Sequence, residues 1–314
     1  MNILSLFDGI SCGQIALNRA GVSYDNYYAS EIDEYAIKVT QANYPNTIQL
    51  GDVTKIDTNE LPKIDLILAG FPCQSLSIAG KQKGFDGKSG IFFEFVRILN
   101  ELKLKNPNIL FLGENVKMKK EWQDVITENL GVKPILINSA LLSAQNRNRL
   151  YWTNIQGITQ PEDKHILLKD ILETGVVDRD KSFCIDANYW KGTNLTQYLT
   201  KSRRQIVFTE RRTAEAKEIR REYAKKYGRD YSPRRAKELV PREDDKCNTL
   251  TTSLSKEHIL LDESLNFRKL TPLECERLQT INDNYTSMLS NTQRYKVIGN
   301  GWTIDVISWI FSFI

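Results

Sequence analysis

The sequence predicts an α/β fold: a Rossmann-like, nucleotide-binding sheet with a smaller second domain. Three observations carry that expectation. Apolar runs at residues 2–7, 66–69 and 108–113 are short and stop at a glycine or an acid, as buried strands do. The first run passes through Asp8-Gly9 and Gly13 into a helical pattern over 14–20, the strand–turn–helix that opens a nucleotide-binding unit. Acids then mark three successive strand ends, at Asp8, Glu31 and Asp52, a pattern that suits the hydroxyls and amino group of an adenosine-type ligand.

Composition sets the bounds. The 314 residues leave room for one large domain, or one large and one small. A hydrophobic share of 41% beside a charged share of 26% supports a packed core and argues against disorder. The five cysteines (Cys12, Cys73, Cys184, Cys247, Cys275) are far apart, and with His165 and His258 they form no zinc-ligand spacing. No metal is expected, and the thiols fit a reducing compartment, the cytoplasm. The first residues lack the basic stretch of a signal peptide. The apolar residues 306–314 are too few to cross a bilayer and are expected to return into the core. The net charge of +4 is uneven: residues 201–242 carry 15 Lys and Arg against 6 Asp and Glu, a local +9 that leaves −5 for the remainder. A polyanion-binding surface and a solvated charged helix are both compatible with that run.

Taken in order, the turn after the first strand has glycines that let the backbone approach a ligand, and a helix start that favours an anion. Its spacing is not GxGxxG, so a dinucleotide pyrophosphate is not indicated. A strand over 27–30 ends in Glu31, and one over 48–50 precedes Asp52 and Val53. The strand at 66–69 ends at Gly70 and leads to Pro72-Cys73. Reactive groups sit just past strand ends in such sheets, and Pro72 stiffens the loop. Cys73 therefore reads either as a nucleophile or as a small buried hydrophobe. Residues 75–89, rich in Gly, Ser and Lys, make a loop of the length that signals function or disorder. An amphipathic helix is expected over 91–104, and a strand over 108–113 that ends in Glu114-Asn115-Val116. After a strand-like run at 134–142, Arg147 and Arg149 alternate and so face one way on an extended segment. Such a pair suits phosphate or carbonyl recognition. Beyond about residue 160 the strand–helix rhythm stops. Residues 211–226 look helical and basic, and Arg229, Arg234 and Arg235 alternate with tyrosines. Residues 161–266 read as the second domain. Thr271, Pro272 and Glu274 spell a helix start at N-cap, N1 and N3. Gly299-Asn300-Gly301-Trp302 reads as a glycine turn into a last apolar helix.

These pieces, in this order, resemble the C5-cytosine DNA methyltransferases of bacteria and phages. Phe7-Asp8-Gly9 with Gly13 resembles that family's first motif, for S-adenosyl-L-methionine (AdoMet). Gly70-Phe71-Pro72-Cys73-Gln74 resembles its catalytic loop. Glu114-Asn115-Val116 and Gln145-x-Arg147-x-Arg149 match the next two signatures. The stretch from Arg268 through Thr271-Pro272, Glu274 and Arg277 to Gln279 matches the ninth, and Gly299-Asn300-Gly301 the last. The resemblance spans residues 1–160 and 267–314. One departure is Gly-Asn-Gly-Trp where Gly-Asn-Ser is more usual, closer to the animal de novo branch.

The resemblance implies an AdoMet-dependent methyltransferase sheet over 1–160, a target-recognition domain over 161–266, and a C-terminal segment, 267–314, that returns to the catalytic domain. It implies a covalent route. Cys73 adds to C6 of cytosine, Glu114 holds N3 and the 4-amino group, Arg149 holds the O2 carbonyl, Arg147 assists the loop or a phosphate, and Asn115 braces the Pro72–Cys73 backbone. AdoMet would lie against Phe7, Asp8, Gly9, Gly13, Glu31, Ile32, Asp52, Val53, Gly70, Pro72, Ile91, Asn300 and Trp302. The base must leave the duplex, with the 75–89 loop closing over it. Contacts to double-stranded DNA are expected from Ser75, Ser77, Lys81, Gln82 and Lys83, and from Arg211, Arg212, Arg220, Arg221, Arg234 and Arg235. The enzyme would act as a monomer, with any cognate restriction endonuclease a separate protein and no membrane partner. An RNA (tRNA) cytosine-5 methyltransferase on the same scaffold is the alternative; the insert of about 100 residues favours DNA, since reading a duplex calls for a separate module.

Overall fold

Strand order explains where the site can be. The structure, a computed structural model, describes residues 1–72, 91–201, 204–209, 211–212, 218, 221–222, 225–226, 237–238 and 266–314. In chain order, β1 (Asn2–Leu6) leads to α1 (Cys12–Ala20), β2 (Asn26–Ser30) to α2 (Glu34–Asn43), and β3 (Ile48–Gln49) to two short 3₁₀ turns. Then come β4 (Leu66–Gly70), α3 (Phe92–Lys105), β5 (Leu110–Val116), α4 (Lys120–Leu130), β6 (Ile135–Asn138) and β7 (Asn148–Thr153). Among the described residues these strands form one seven-stranded sheet in the order β3-β2-β1-β4-β5-β7-β6. β1 to β5 pair in parallel, and β7 runs antiparallel to both β5 and β6. Parallel strands need helical crossovers, so both faces are covered and the strands read as unbroken apolar runs.

Alternation along β4 shows the two-sided core. Leu66 and Leu68 face a cluster with α1 and the last helix; Ile67 and Ala69 face one built on α3 and α4. The first cluster also takes in Leu168, Ile171, Ile185, Tyr189 and Val207. The remaining elements are α5 (Leu195–Lys201), β8 (Ile206–Thr209), β9 (Arg211–Arg212), β10 (Lys237–Glu238), β11 (Asn266–Lys269), α6 (Pro272–Leu278), α7 (Asn291–Asn300) and α8 (Ile304–Phe311). β8 pairs with β11 and β9 with β10, both antiparallel.

The C-terminal elements are stitched to the first βα unit. Arg19 on α1 donates to Thr280 O at 2.8 Å and pairs with Asp305, and the Tyr285 hydroxyl donates to Ile10 O at 2.8 Å. The apolar stretch at 306–314 does return inward: Val306, Ile307, Ile310 and Phe311 are fully buried. No helix among the described residues is long and apolar enough to cross a membrane.

Three local expectations are corrected. Arg211 and Arg212 lie on β9 rather than in a helix; residues 218, 221–222 and 225–226 are helical. The strand expected to stop at residue 113 runs on through Val116, which places Glu114 and Asn115 within it. The expected glycine turn at 299–301 begins only at Gly301, because Gly299 and Asn300 close α7. Gly299 is small for packing: a Cβ there would sit 2.3 Å from the Asp186 carbonyl carbon. The capping box at Thr271 and Glu274 is present, with Pro272 at its first helical position.

Candidate active site

Parallel pairing brings the strand ends together. Leu6 is level with Ser30 and with Ala69, and Gly70 with Glu114. The residues just beyond β1, β2 and β4 therefore crowd one edge of the sheet beside Glu114, the edge where α/β folds hold ligands.

On the β4–β5–β7 side, register builds an ion pair. Glu114 stands opposite Tyr151 and Val116 opposite Arg149, so Arg149 is the diagonal neighbour of Glu114 on the same face. That separation is within reach of a long side chain. Arg149 Nε lies 2.9 Å from Glu114 Oε1, and the Trp302 indole N–H donates to Oε2 at 3.1 Å. Glu114 is 8% exposed. Beside it Asn115, fully enclosed, donates from Nδ2 to Phe71 O at 3.1 Å. The Phe71 ring packs against Phe92, Phe95 and Trp152, with the Phe92 centroid 4.9 Å away. A buried aromatic and a carbonyl bond thus pin the stem that enters Pro72. Cys73 itself, with Ser75, Ser77, Lys81, Gln82 and Lys83, lies outside the described residues.

Arg147 is placed differently from its expected part. It is 4% exposed, and its guanidinium donates to Ile185 O at 3.1 Å, to Gly301 O at 2.9 Å and to Cys184 Sγ at 3.4 Å. Carbonyls inside the protein occupy it, so it holds the site together and is not turned to a phosphate. The two arginines do share a side, since Arg149 Nη2 also approaches Cys184 Sγ, at 3.9 Å. Burial pushes the Cys184 thiol up, but Arg147 and Arg149 outweigh it and hold the thiol below its ordinary range.

The β1–β2–β3 side is lined with carboxylates and strained backbone. Phe7, Gly9 and Ser11 all have φ near +60° (57°, 61° and 56°), a turn that two of the three residues adopt at a cost. Glu31 closes it: Oε2 accepts from Gly9 N, and Oε1 from Ile32 N and Asp33 N, each at 2.8 Å. Ile32 is 76% exposed beside this carboxylate. Asp52 accepts from the Thr54 N–H and hydroxyl, both at 2.9 Å, which hold its carboxyl below the usual range; Val53 is buried behind it. Asp8 is buried, with no cation paired to it among the described residues. Burial pushes its carboxyl up to about 6, against hydrogen bonds from Ser11 and Tyr27 that lower it.

This donor set fits AdoMet. An exposed apolar side chain next to a carboxylate suits an adenine face with ribose hydroxyls. The negative charge suits a sulfonium, and open space where a Gly9 Cβ would stand leaves the turn free to approach a ligand. Gly13 is a correction. A Cβ there would meet Tyr27 Oη at 2.6 Å and Leu68 Cδ1 at 2.7 Å, so this glycine is needed for α1 to pack on the sheet. Gly70 and Ile91 are partly buried at the β4 end and at the start of α3, and Asn300 is exposed at the end of α7. Among the residues expected to meet DNA, Arg220, Arg234 and Arg235 lie outside the described residues; Arg221 is exposed. No cluster of metal-binding side chains is found among the described residues.

The model of the C-5 cytosine-specific DNA methylases matches residues 1–314. The chain belongs to that family. Type II methyltransferase M.NlaX of Neisseria lactamica is 30% identical over 326 residues, 97% of this chain and 93% of that protein. Type II methyltransferase M1.ScrFI of Lactococcus lactis subsp. cremoris is 30% identical over 331 residues, 97% of this chain and 75% of that protein. The solved structure of the Entamoeba histolytica methyltransferase EhMeth superposes with a TM-score of 0.65 at 16% identity, over 100% of this chain and 97% of that one. That likeness is one of fold.

Within this cytosine methylase, sequence reasoning passed over Cys184, Phe71 and Gln279. Gln279 Nε2 donates to Ile298 O and Gly301 O, both at 3.0 Å, and fixes the turn before Trp302. Phe71 could have been found as the aromatic inside its motif. Cys184 lies in a stretch that matches no motif, and its arginine neighbours are brought to it only by the fold.

Proposed function

We propose that this methyltransferase uses AdoMet to methylate C5 of a cytosine turned out of duplex DNA, within a short recognition sequence, through a covalent Cys73 adduct. It would be a DNA (cytosine-5-)-methyltransferase in the strict sense. The observation that supports this most is the pairing of Glu114 with Arg149 beside the Asn115-braced stem of the Pro72 loop. Carbon 5 of cytosine is a weak nucleophile. A thiolate from Cys73 adding to C6 makes C5 enamine-like, with negative charge pushed towards N3. Glu114 gives N3 a proton as that charge develops, accepts from the 4-amino group with its other oxygen and takes the proton back on elimination, while Arg149 donates to the O2 carbonyl. Asn115 keeps the loop stem at a fixed distance from Glu114. AdoMet, when bound, supplies the electrophilic methyl group. A base then removes the C5 proton, and the electron pair expels the Cys73 thiolate.

The acid-lined side, from Phe7 to Gly9 with Glu31, Ile32, Asp52 and Val53, would hold AdoMet, and Gly70, Pro72, Ile91, Asn300 and Trp302 would close its methionine end. Residues 161–266 would form the target-recognition domain and 267–314 a return to the catalytic one. The loop residues Ser75, Ser77, Lys81, Gln82 and Lys83 would lie along phosphates, with Arg211, Arg212, Arg220, Arg221, Arg234 and Arg235 adding charge. The protein would work as a cytoplasmic monomer, and any cognate endonuclease would be a separate chain. Methyl transfer from labelled AdoMet, run in parallel on unmethylated genomic DNA and on bulk tRNA, tests this. Label at cytosine C5 within one short DNA motif is expected; label in tRNA alone, or in neither, overturns the reading.

A further inference from the structure

Both oxygens of Glu114 are held before any base arrives. Arg149 takes Oε1, and the partner of Oε2 is supplied from 188 residues further along the chain, by Trp302. That indole is set from two directions. Gly301, just before it, is fixed through its carbonyl, which accepts from Arg147 Nη2 at 2.9 Å and Gln279 Nε2 at 3.0 Å. Across the site the ring lies on Gly70: a Cβ at residue 70 would come within 2.8 Å of Trp302 Nε1 and 3.2 Å of Cε2 and Cζ2. Gly70 has no left-handed backbone to justify it, so the glycine is there to make room for the indole.

We propose that Trp302 is a positioning residue for methyl transfer, whose indole N–H fixes the plane of the Glu114 carboxylate and whose ring requires glycine at position 70. This rests on Glu114 being the carboxylate that holds the base. A carboxylate anchored only through Oε1 can turn about its terminal torsion, which is broad. Anchoring the second oxygen removes that freedom, and leaves one oxygen to accept from the 4-amino group and the other to carry the proton given to N3. Pre-set geometry of this kind is expressed in the chemical step rather than in cofactor affinity. The competing role is packing against AdoMet alone, which would be expressed in cofactor affinity.

The test compares Trp302→Phe, Gly70→Ala, the double variant and Glu114→Gln with the intact enzyme, measuring kcat and the KM for AdoMet on DNA, with thermal melts to confirm folding. Phe keeps the ring and loses the donor. Trp302→Phe is expected to lower kcat roughly 10-fold or more, the range for a hydrogen bond to a charged group, with AdoMet KM within about 2-fold. Gly70→Ala should give the same loss although Trp302 is intact, and the double variant should be no worse than Trp302→Phe alone. A raised AdoMet KM with kcat retained, or losses that multiply in the double variant, would overturn the inference. Glu114→Gln separates the levels. If it is inactive while Trp302→Phe keeps full kcat, only the positioning role falls; if it stays active, the role of Glu114 falls as well.

Discussion

At the scale of single residues, chemistry makes two strong demands. The first concerns Cys73. A hydroxyl in place of its thiol is far less nucleophilic at neutral pH, so Cys73→Ser should abolish methyl transfer while DNA binding, followed by gel shift, persists. Near-normal transfer by that variant would end the covalent route. The second concerns Asp8, whose carboxyl is raised from 3.8 to about 6 by burial. Between those values the folded protein binds more protons than the unfolded chain, so this group's contribution to stability is whole below pH 3.8 and is lost as pH climbs through about 6. The shift corresponds to about 3 kcal/mol at roughly 1.4 kcal/mol per unit. Urea unfolding of the wild type and of Asp8→Asn at several pH values isolates it. The stability difference between the two should move by about that amount from pH 4 to pH 7, in favour of the variant at high pH. A difference that stays flat would mean Asp8 reaches solvent or a cation.

At the scale of elements, legibility followed burial. β4 and α6 could be read because their signals are local: a strand covered on both faces becomes a continuous apolar run, and a helix with a capping box announces its own start. The length of β5 could not be read, because Glu114 and Asn115 look like loop residues until a neighbouring strand supplies Arg149 and a neighbouring turn supplies Phe71 O. Arg147 shows the same limit. Its alternation with Arg149 was visible, but its burial among carbonyls from residues 185 and 301 depends on contacts far along the chain. Gly13 is a third case, where a motif glycine serves packing between elements. Gly13→Ala would push a methyl against Tyr27 Oη and Leu68 Cδ1 and disturb the Tyr27 bond to Asp8. Urea melts should show a loss of about 1–3 kcal/mol, the usual cost of overpacking a core. A cost below about 0.5 kcal/mol, well under that range, would mean that α1 lifts from the sheet without resistance.

At the scale of the whole molecule, charge and chemistry are separated along the chain. The body that carries the carboxylates sums to −5, and residues 201–242 carry +9. Near the cofactor side, negative charge favours a sulfonium; against duplex DNA the same charge is unfavourable, so a basic surface elsewhere must supply the attraction. Within that basic stretch, Arg211 and Arg212 sit on a two-residue strand paired with Lys237 and Glu238, and Arg221 is exposed. If these arginines and Arg220 meet phosphates, each contact releases condensed counterions and steepens the salt dependence of binding by about 0.9 in log K against log salt. Replacing all four with glutamine should weaken binding at 50 mM salt far more than at 200 mM, and should flatten the slope by up to about 3.6. The choice of target sequence, read from protection or bisulfite data, should stay unchanged, because phosphate contacts set position and register while base edges set specificity. A slope that does not change would assign these charges to solvent or to contacts within the protein, and the DNA-facing charge would then have to come from elsewhere, Lys81 and Lys83 being the next to replace.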